Sequence, residues 1–312
     1  MSRARIRPAT GAVLAALAAL ALGTLPAPAL AVAPAAGPAP AAQRHLGEEI
    51  RQVPLVGAVN VRDVGGYRTY GGDTVRHGQV YRADALSKLT DADVVTLSRL
   101  GLKKVVDYRV PVEVQYDGVD RLPAGLTPVS RPVTDNGLFT QLLTVIGSRD
   151  PVKQEEMLGG GRAAAFMREV YRTFVTSPEN RARFGATLRD IADSDRDAPL
   201  LYHCTSGKDR TGWTSYLLLR ALGVPSQTAE RDYLASNTYR AAYDAKVRAG
   251  LKQAGLMQNP DLLIPLQEVR TDYLRSALDR VAADYGGLHH YLGKGLGLDL
   301  RTIAKLQARL LR

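Results

Sequence analysis

The chain has 312 residues, 45% of them hydrophobic, with a single cysteine, five histidines and a formal charge of +10. One cysteine excludes an internal disulfide, and so few cysteines and histidines argue against a structural zinc site. The positive excess is spread along the chain, with no lysine-rich tail and no basic–aromatic stripe; it favours anionic ligands by steering and does not point to nucleic acid.

The first segment reads as a targeting signal. Arg3, Arg5 and Arg7 form a positive n-region, residues 11–22 are an apolar run too short to span a membrane, and Ala29-Leu30-Ala31 is a small-x-small cleavage site. Residues 1–31 are therefore expected to be a secretory signal peptide, leaving a secreted protein with no stable membrane anchor. Removing them takes away three arginines and no acid, which leaves +7. Residues 32–44 are almost all Ala, Pro, Gly and Val and read as a flexible leader. Residues 45–312 are expected to form one domain.

Along that body, short β-branched runs alternate with amphipathic stretches, which predicts α/β architecture. A strand is expected over 78–84 and a helix over 89–102, capped by Thr90 with Asp91 and Asp93 in its first turn and Gly101 near its stop. Strands follow over 103–109 and 126–133. Residues 134–162 are polar, glycine-rich and without a clear period, as expected of a mobile flap over a site. Helices are expected over 162–175 and over 177–193, the second with Ser177 as cap and Pro178 at its first position. A short apolar strand, APLLYHC, leads into the apolar helix TGWTSYLLLRALG, and about four helices fill 226–312.

The join between that strand and helix reads HCTSGKDRTG, residues 203–212. Ligands of open α/β sheets bind beyond the carboxyl ends of the strands, and a helix N-terminus offers free N–H groups and a positive dipole end. A cysteine held there is favoured as the thiolate. Thr205, Ser206, Gly207 and Lys208 supply the backbone of an anion-binding loop, with Gly207 permitting a tight curl. Arg210, six positions after Cys204, can place two parallel hydrogen bonds on a phosphate. Thr211 is placed to hydrogen-bond the sulfur. Together these residues describe nucleophilic attack by Cys204 on phosphorus and a thiophosphate intermediate that water resolves, with no metal or cofactor called for. The plainer reading of Cys204 is a buried thiol; His203 either orients the thiolate or is a satisfied core histidine.

The stretch HCxxGKDRT resembles the loop of a bacterial group of cysteine-dependent protein tyrosine phosphatases. NVRDVGG (60–66), VYRADAL (80–86), GLKKVVDYR (101–109), RDYLASN (231–237) and YLGKGLGLD (291–299) are similar to further segments of that group, so the resemblance covers most of the body. Tyr108 and Val61 depart from the residues usual there. The resemblance implies a mostly parallel central sheet flanked by helices, with an extra helical C-terminal portion. It also implies Cys204 as nucleophile and Arg210 with the loop amides as phosphate holder. The substrate it implies is phosphotyrosine, with phosphoserine/threonine or phosphoinositides in some members.

A general acid must protonate the leaving group and later activate water. Three aspartates compete: Asp209 in the loop, ranked first, then Asp107 at a strand end, where Arg109 offers an ion pair, then Asp135 in PVTDNG, where an Asx turn is the plainer role. Lys208 adds a cation that either meets a second phosphate or only raises the local potential; Arg62 and Asp63 either lie near the loop or, the plainer role, form a buried ion pair that positions the N-terminal segment. Two other classes compete. A rhodanese-type sulfurtransferase also uses a cysteine in an anion loop, but the helical C-terminal half argues against it. A non-catalytic module binding phosphorylated ligands would not need the thiolate.

Overall fold

The computed structural model describes residues 50–312; the expected signal peptide and leader lie outside the described residues. Six strands form one sheet: β1 (Arg51–Gln52), β2 (Arg62–Asp63), β3 (Val80–Ala83), β4 (Lys104–Asp107), β5 (Pro128–Ser130) and β6 (Leu200–His203). Their order is β1-β2-β3-β6-β4-β5. The first two pairings are antiparallel, while β3, β6, β4 and β5 run parallel. The short, fully buried strand β6 is thus flanked on both sides, by β3 and β4.

Alternation along the parallel strands divides the core. Tyr81, Ala83, Val105 and Leu201 point to one face, where they pack with Leu86, Leu89 and Leu97. Val80, Val106, Leu200 and Tyr202 point to the other, which carries the larger apolar cluster. The smaller face is covered by α1 (Asp91–Ser98), where Thr90 and Asp93 form a reciprocal capping box. After β4 comes α2 (Pro111–Asp117), and after β5 come α3 (Leu138–Ser148) and α4 (Pro151–Leu158).

These last two correct the flap expected over 134–162. Val145, Ile146 and Leu158 belong to the main core, so the segment is a pair of packed helices. Their apolar positions were present in the sequence, but glycines and polar residues on either side hid the period.

Helices α5 (Arg162–Thr176) and α6 (Pro178–Asp193) follow, with Ser177 accepting from Asn180 N as predicted. Next comes α7 (Arg210–Ala221), which packs directly behind the sheet, and then the long α8 (Ser226–Gln253). A 3-10 turn (Pro260–Leu263), α9 (Ile264–Gln267), α10 (Thr271–Tyr285), α11 (Leu288–His290), a π turn (Tyr291–Gly295) and α12 (Leu300–Leu310) complete the helical C-terminal portion. The chain end returns to the N-terminal region, where Arg312 and Thr74 exchange both backbone hydrogen bonds. Among the described residues no helix is long and apolar enough to cross a membrane.

Candidate active site

Cys204 leaves the end of β6, 1% exposed, and residues 205–209 turn from there into α7. Gly207 takes φ +63, and a Cβ there would lie 2.4 Å from the Ala83 carbonyl oxygen, so the tight passage requires glycine. The loop's outward carbonyls are gripped from behind. Asn60 Nδ2 donates to the carbonyls of Ser206 (3.0 Å) and Gly207 (3.1 Å). Arg82 Nη2 donates to Gly207 O (2.8 Å) and Arg240 Nη1 to Ser206 O (3.4 Å). The amides of 205–209 donate to no other protein group among the described residues. A ring of free N–H groups over a helix N-terminus is an anion site.

The clamps are themselves fixed. Arg62 and Arg82 both pair with Asp232 of α8, at 3.1 and 2.6 Å, and all three are fully buried. Tyr67 donates to the same carboxylate (3.0 Å). Burial alone would raise Asp232; the two guanidiniums more than offset it and hold it at about 2. Arg62 therefore pairs across 170 residues rather than with its neighbour. Asp63 is also buried, but it accepts from the Gly65 and Gly78 amides and faces His77.

Arg210 is held by Glu113 of α2, which sequence reasoning did not single out. Glu113 Oε2 accepts from Nη1 at 2.7 Å and Oε1 from Nη2 at 2.5 Å. The Tyr108 and Val133 carbonyls also accept from Nη1. Nε donates to no protein group among the described residues, so the Nε–Nη2 edge of the fork remains for a second oxyanion. Burial works against the charge of both partners, yet their mutual attraction wins: Arg210 lies well above its ordinary value and Glu113 below its own. Glu113 also accepts from Thr205 Oγ1 (2.6 Å) and from Val110 N (2.7 Å), which ties the start of α2 to the loop. The one local signal for Glu113 was Pro111 two positions before it, as at a helix start.

The other sequence candidates are all near the ends of these elements, with different occupations. Asp209 accepts from Lys208 Nζ at 3.0 and 2.7 Å and from Tyr171 Oη at 2.9 Å. Lys208 is buried and bonded to Asp209 and the Glu268 carbonyl; of its two readings, this fits a charge that raises the local potential rather than an outward cation for a second phosphate. Asp107 has both oxygens on Arg109 Nε at 3.1 Å, the structural pairing weighed as its plainer role. Asp135 accepts from the Gly137 and Phe139 amides, an Asx turn that opens α3. Thr211 Oγ1 is buried without a hydrogen-bond partner and does not bond the sulfur.

His203 is fully buried and places Nε2 2.9 Å from Asp120 Oδ2. Burial lowers the imidazole's proton affinity, but Asp120 more than offsets this and raises it above its ordinary value. Asp107, Asp120 and His203 converge closely enough to suggest a metal site. Arg109 already bridges both carboxylates, at 2.9 and 2.8 Å, and supplies the positive charge there. Asp117, four residues after Glu113, has Oδ2 buried without a donor. Burial pushes it up to about 6, against the pull of Arg109.

With this geometry in place, comparison with known proteins gives a consistent result. The sequence model of the tyrosine phosphatase family matches residues 53–312. A protein of Cupriavidus necator named as a candidate tyrosine-protein phosphatase is 33% identical over 245 residues, covering 78% of this chain and 84% of the relative. The triple specificity protein phosphatase PtpB of Mycobacterium tuberculosis is 29% identical over 283 residues, covering 84% of this chain and 99% of that protein. A tyrosine-protein phosphatase of Nostoc commune is 27% identical over 238 residues, covering 73% of each chain.

Proposed function

The chain belongs to the tyrosine phosphatase family and is a phosphatase; from that premise we propose that it hydrolyses phosphotyrosine in proteins through a cysteinyl-phosphate on Cys204, after export from the cell that makes it. The observation that carries the mechanism is the pairing of a buried cysteine with an arginine whose second donor edge has no protein partner, both on a loop of free amides. The thiolate attacks phosphorus while the ester P–O bond breaks, and the amides of 205–209 with the Nε–Nη2 edge of Arg210 hold the equatorial oxygens. Asp209 gives its proton to the leaving oxygen, then takes one from the water that breaks the S–P bond and regenerates the thiolate. Asp209 is favoured for this over Asp107 and Asp135 because it lies in the anion-binding loop itself, whereas Asp107 is paired with Arg109 and Asp135 holds the turn that opens α3.

The depth of Cys204 supports an aryl ester as substrate: a tyrosine side chain carries its phosphate further from the backbone than serine or threonine does. Phe139, whose amide donates to Asp135, packs edge-on against Tyr116 at 5.3 Å, one turn from Glu113, and is the apolar surface we assign to the substrate ring. Phosphoinositides are the alternative substrate class. Export is supported by residues 1–31 alone, and the N-terminus of protein recovered from culture medium tests it: the mature chain should begin at Val32.

The deciding experiment measures phosphate release from a phosphotyrosine peptide, a phosphoserine peptide and phosphoinositides side by side, with chelator present. Wild type should prefer the phosphotyrosine peptide and Cys204→Ser should release nothing. A preference for lipid would replace the substrate; release by Cys204→Ser would overturn the mechanism.

A further inference from the structure

Tyr171 of α5 and Tyr233 of α8 are both fully buried, and each hydroxyl must find a partner or lose hydrogen-bond energy. They form a line. Tyr233 Oη lies 2.8 Å from Tyr171 Oη, and Tyr171 Oη lies 2.9 Å from Asp209 Oδ1. Tyr171 donates to Asp209 Oδ1 and Tyr233 donates to Tyr171, so the proton that Asp209 carries as an acid sits on Oδ2, and Oδ1 accepts from Tyr171 in both protonation states. Tyr233 also reaches the Arg270 carbonyl at 3.3 Å. Burial, with the negative Asp209 close by, raises both phenols well above their ordinary values, so they act as neutral donors.

The two oxygens of Asp209 are thereby made unequal. Oδ1 is tethered from the interior by Tyr171 and also touches Lys208, whereas Oδ2 is bonded by Lys208 alone. Both supports return to one short segment between α9 and α10. Lys208 Nζ donates to Glu268 O (3.3 Å), and the Tyr233 hydroxyl shares its one proton between Tyr171 Oη and the more distant Arg270 O. Between them Val269 is locked by Asn237 of α8, which donates from Nδ2 to Val269 O (2.8 Å) and accepts from Val269 N (2.7 Å).

We infer that Tyr171, backed by Tyr233 and by the segment 268–270, is a positioning residue for Asp209, holding Oδ1 so that Oδ2 is the oxygen that moves protons. This rests on the reading of Asp209 given above. It assigns the helical C-terminal portion a part in the chemistry: the catalytic loop's carboxylate is aimed by helices outside the sheet.

The test compares Tyr171→Phe and Tyr233→Phe with wild type, each also combined with Asp209→Asn. The substrates are phenyl phosphate, a poor leaving group, and p-nitrophenyl phosphate, an activated one. For Tyr171→Phe, kcat on phenyl phosphate should fall about tenfold with KM unchanged, because a carboxylate misaimed by a fraction of an ångström transfers protons poorly. The activated ester should change less than twofold, and Tyr233→Phe should show the same pattern more weakly. Neither change should add to the loss already caused by Asp209→Asn. Equal losses on both esters, or losses that persist in the Asp209→Asn background, would overturn the inference in favour of a packing role. Inhibition by vanadate, unchanged in a folded variant, reads the integrity of the loop separately. Should Asp209→Asn itself affect both esters equally while Cys204→Ser abolishes release, the assignment of Asp209 fails and the tether with it; the thiolate mechanism stands.

Discussion

Glu113 holds Arg210 through both carboxylate oxygens, at 2.7 and 2.5 Å, although the two residues are 97 positions apart. The bond consumes one edge of the guanidinium and leaves the other for substrate, so Glu113 acts by aiming Arg210. Replacing Glu113 with Ala strands a buried cation and should cost about 3–5 kcal/mol of stability. It should also lower kcat/KM about 100-fold, in the range seen when a transition-state donor is lost. Glu113→Gln keeps the shape and one acceptor and should lose less on both counts. Chemical denaturation and steady-state kinetics read the two effects; an alanine variant with wild-type kinetics would remove Glu113 from the site.

Gly207→Ala brings a methyl to within 2.4 Å of the Ala83 carbonyl at a positive φ. The strand cannot yield there without disturbing β3, so the loop must. The expected result is a loss of about 1–3 kcal/mol and a vanadate affinity at least tenfold weaker. Thermal melting with and without vanadate would show both, since the stabilisation normally given by the oxyanion should shrink.

Asp232 gives a pH signature. Its folded value of about 2 lies below the ordinary 3.8, so its contribution is fully present above pH 4 and is lost as pH falls through 2. Asp232→Asn should lose about 3 kcal/mol at pH 7 by leaving Arg62 and Arg82 unpaired in the interior. The penalty relative to wild type should narrow in acid. Because Arg82 also grips Gly207, phosphate affinity should fall with stability.

Asp117 has the opposite sign. Its folded value of about 6 lies above 3.8, so the folded state binds the extra proton and stability falls as pH rises from about 4 to 6. Above pH 6 the charged, poorly solvated carboxyl is a standing cost. Asp117→Asn should remove it, stabilising the protein at pH 8 by on the order of 2 kcal/mol, allowing for the water that still reaches the group. At pH 4 the variant should match wild type. A gain independent of pH would point to packing instead.

The loop at 203–212 was legible because its chemistry is contiguous: nucleophile, glycine, arginine and helix start fall within ten residues. The strands around it were legible from their β-branched runs and the helix at Thr90 from its cap. What surrounds the loop was not. Asn60 and Arg82 were visible in recognisable segments, but their grip on Ser206 and Gly207 spans 125 residues or more and leaves no local period. Lys208 pairs with its neighbour Asp209, but its burial against the Glu268 carbonyl, 60 positions away, leaves no mark in the local sequence. Asp107 looked catalytic or structural with equal reason until Arg109 was seen on both its oxygens. Helices α3 and α4 were missed although Leu138, Leu142, Val145 and Ile146 carry a helical spacing, because the glycines at 159–161 dominated the reading.

The carbonyl clamps have a practical consequence. Residues 195–197 form an exposed turn just before β6. A chain opened there would leave Cys204 and Arg210 on one fragment and Asn60, Arg82 and Glu113 on the other. Neither piece alone could shape the anion cradle, yet the pieces share an extensive seam that includes the paired backbones of Thr74 and Arg312. Each fragment alone is expected to be silent, and turnover on mixing the two would report their meeting, a conditional catalyst governed by whatever brings the fragments together.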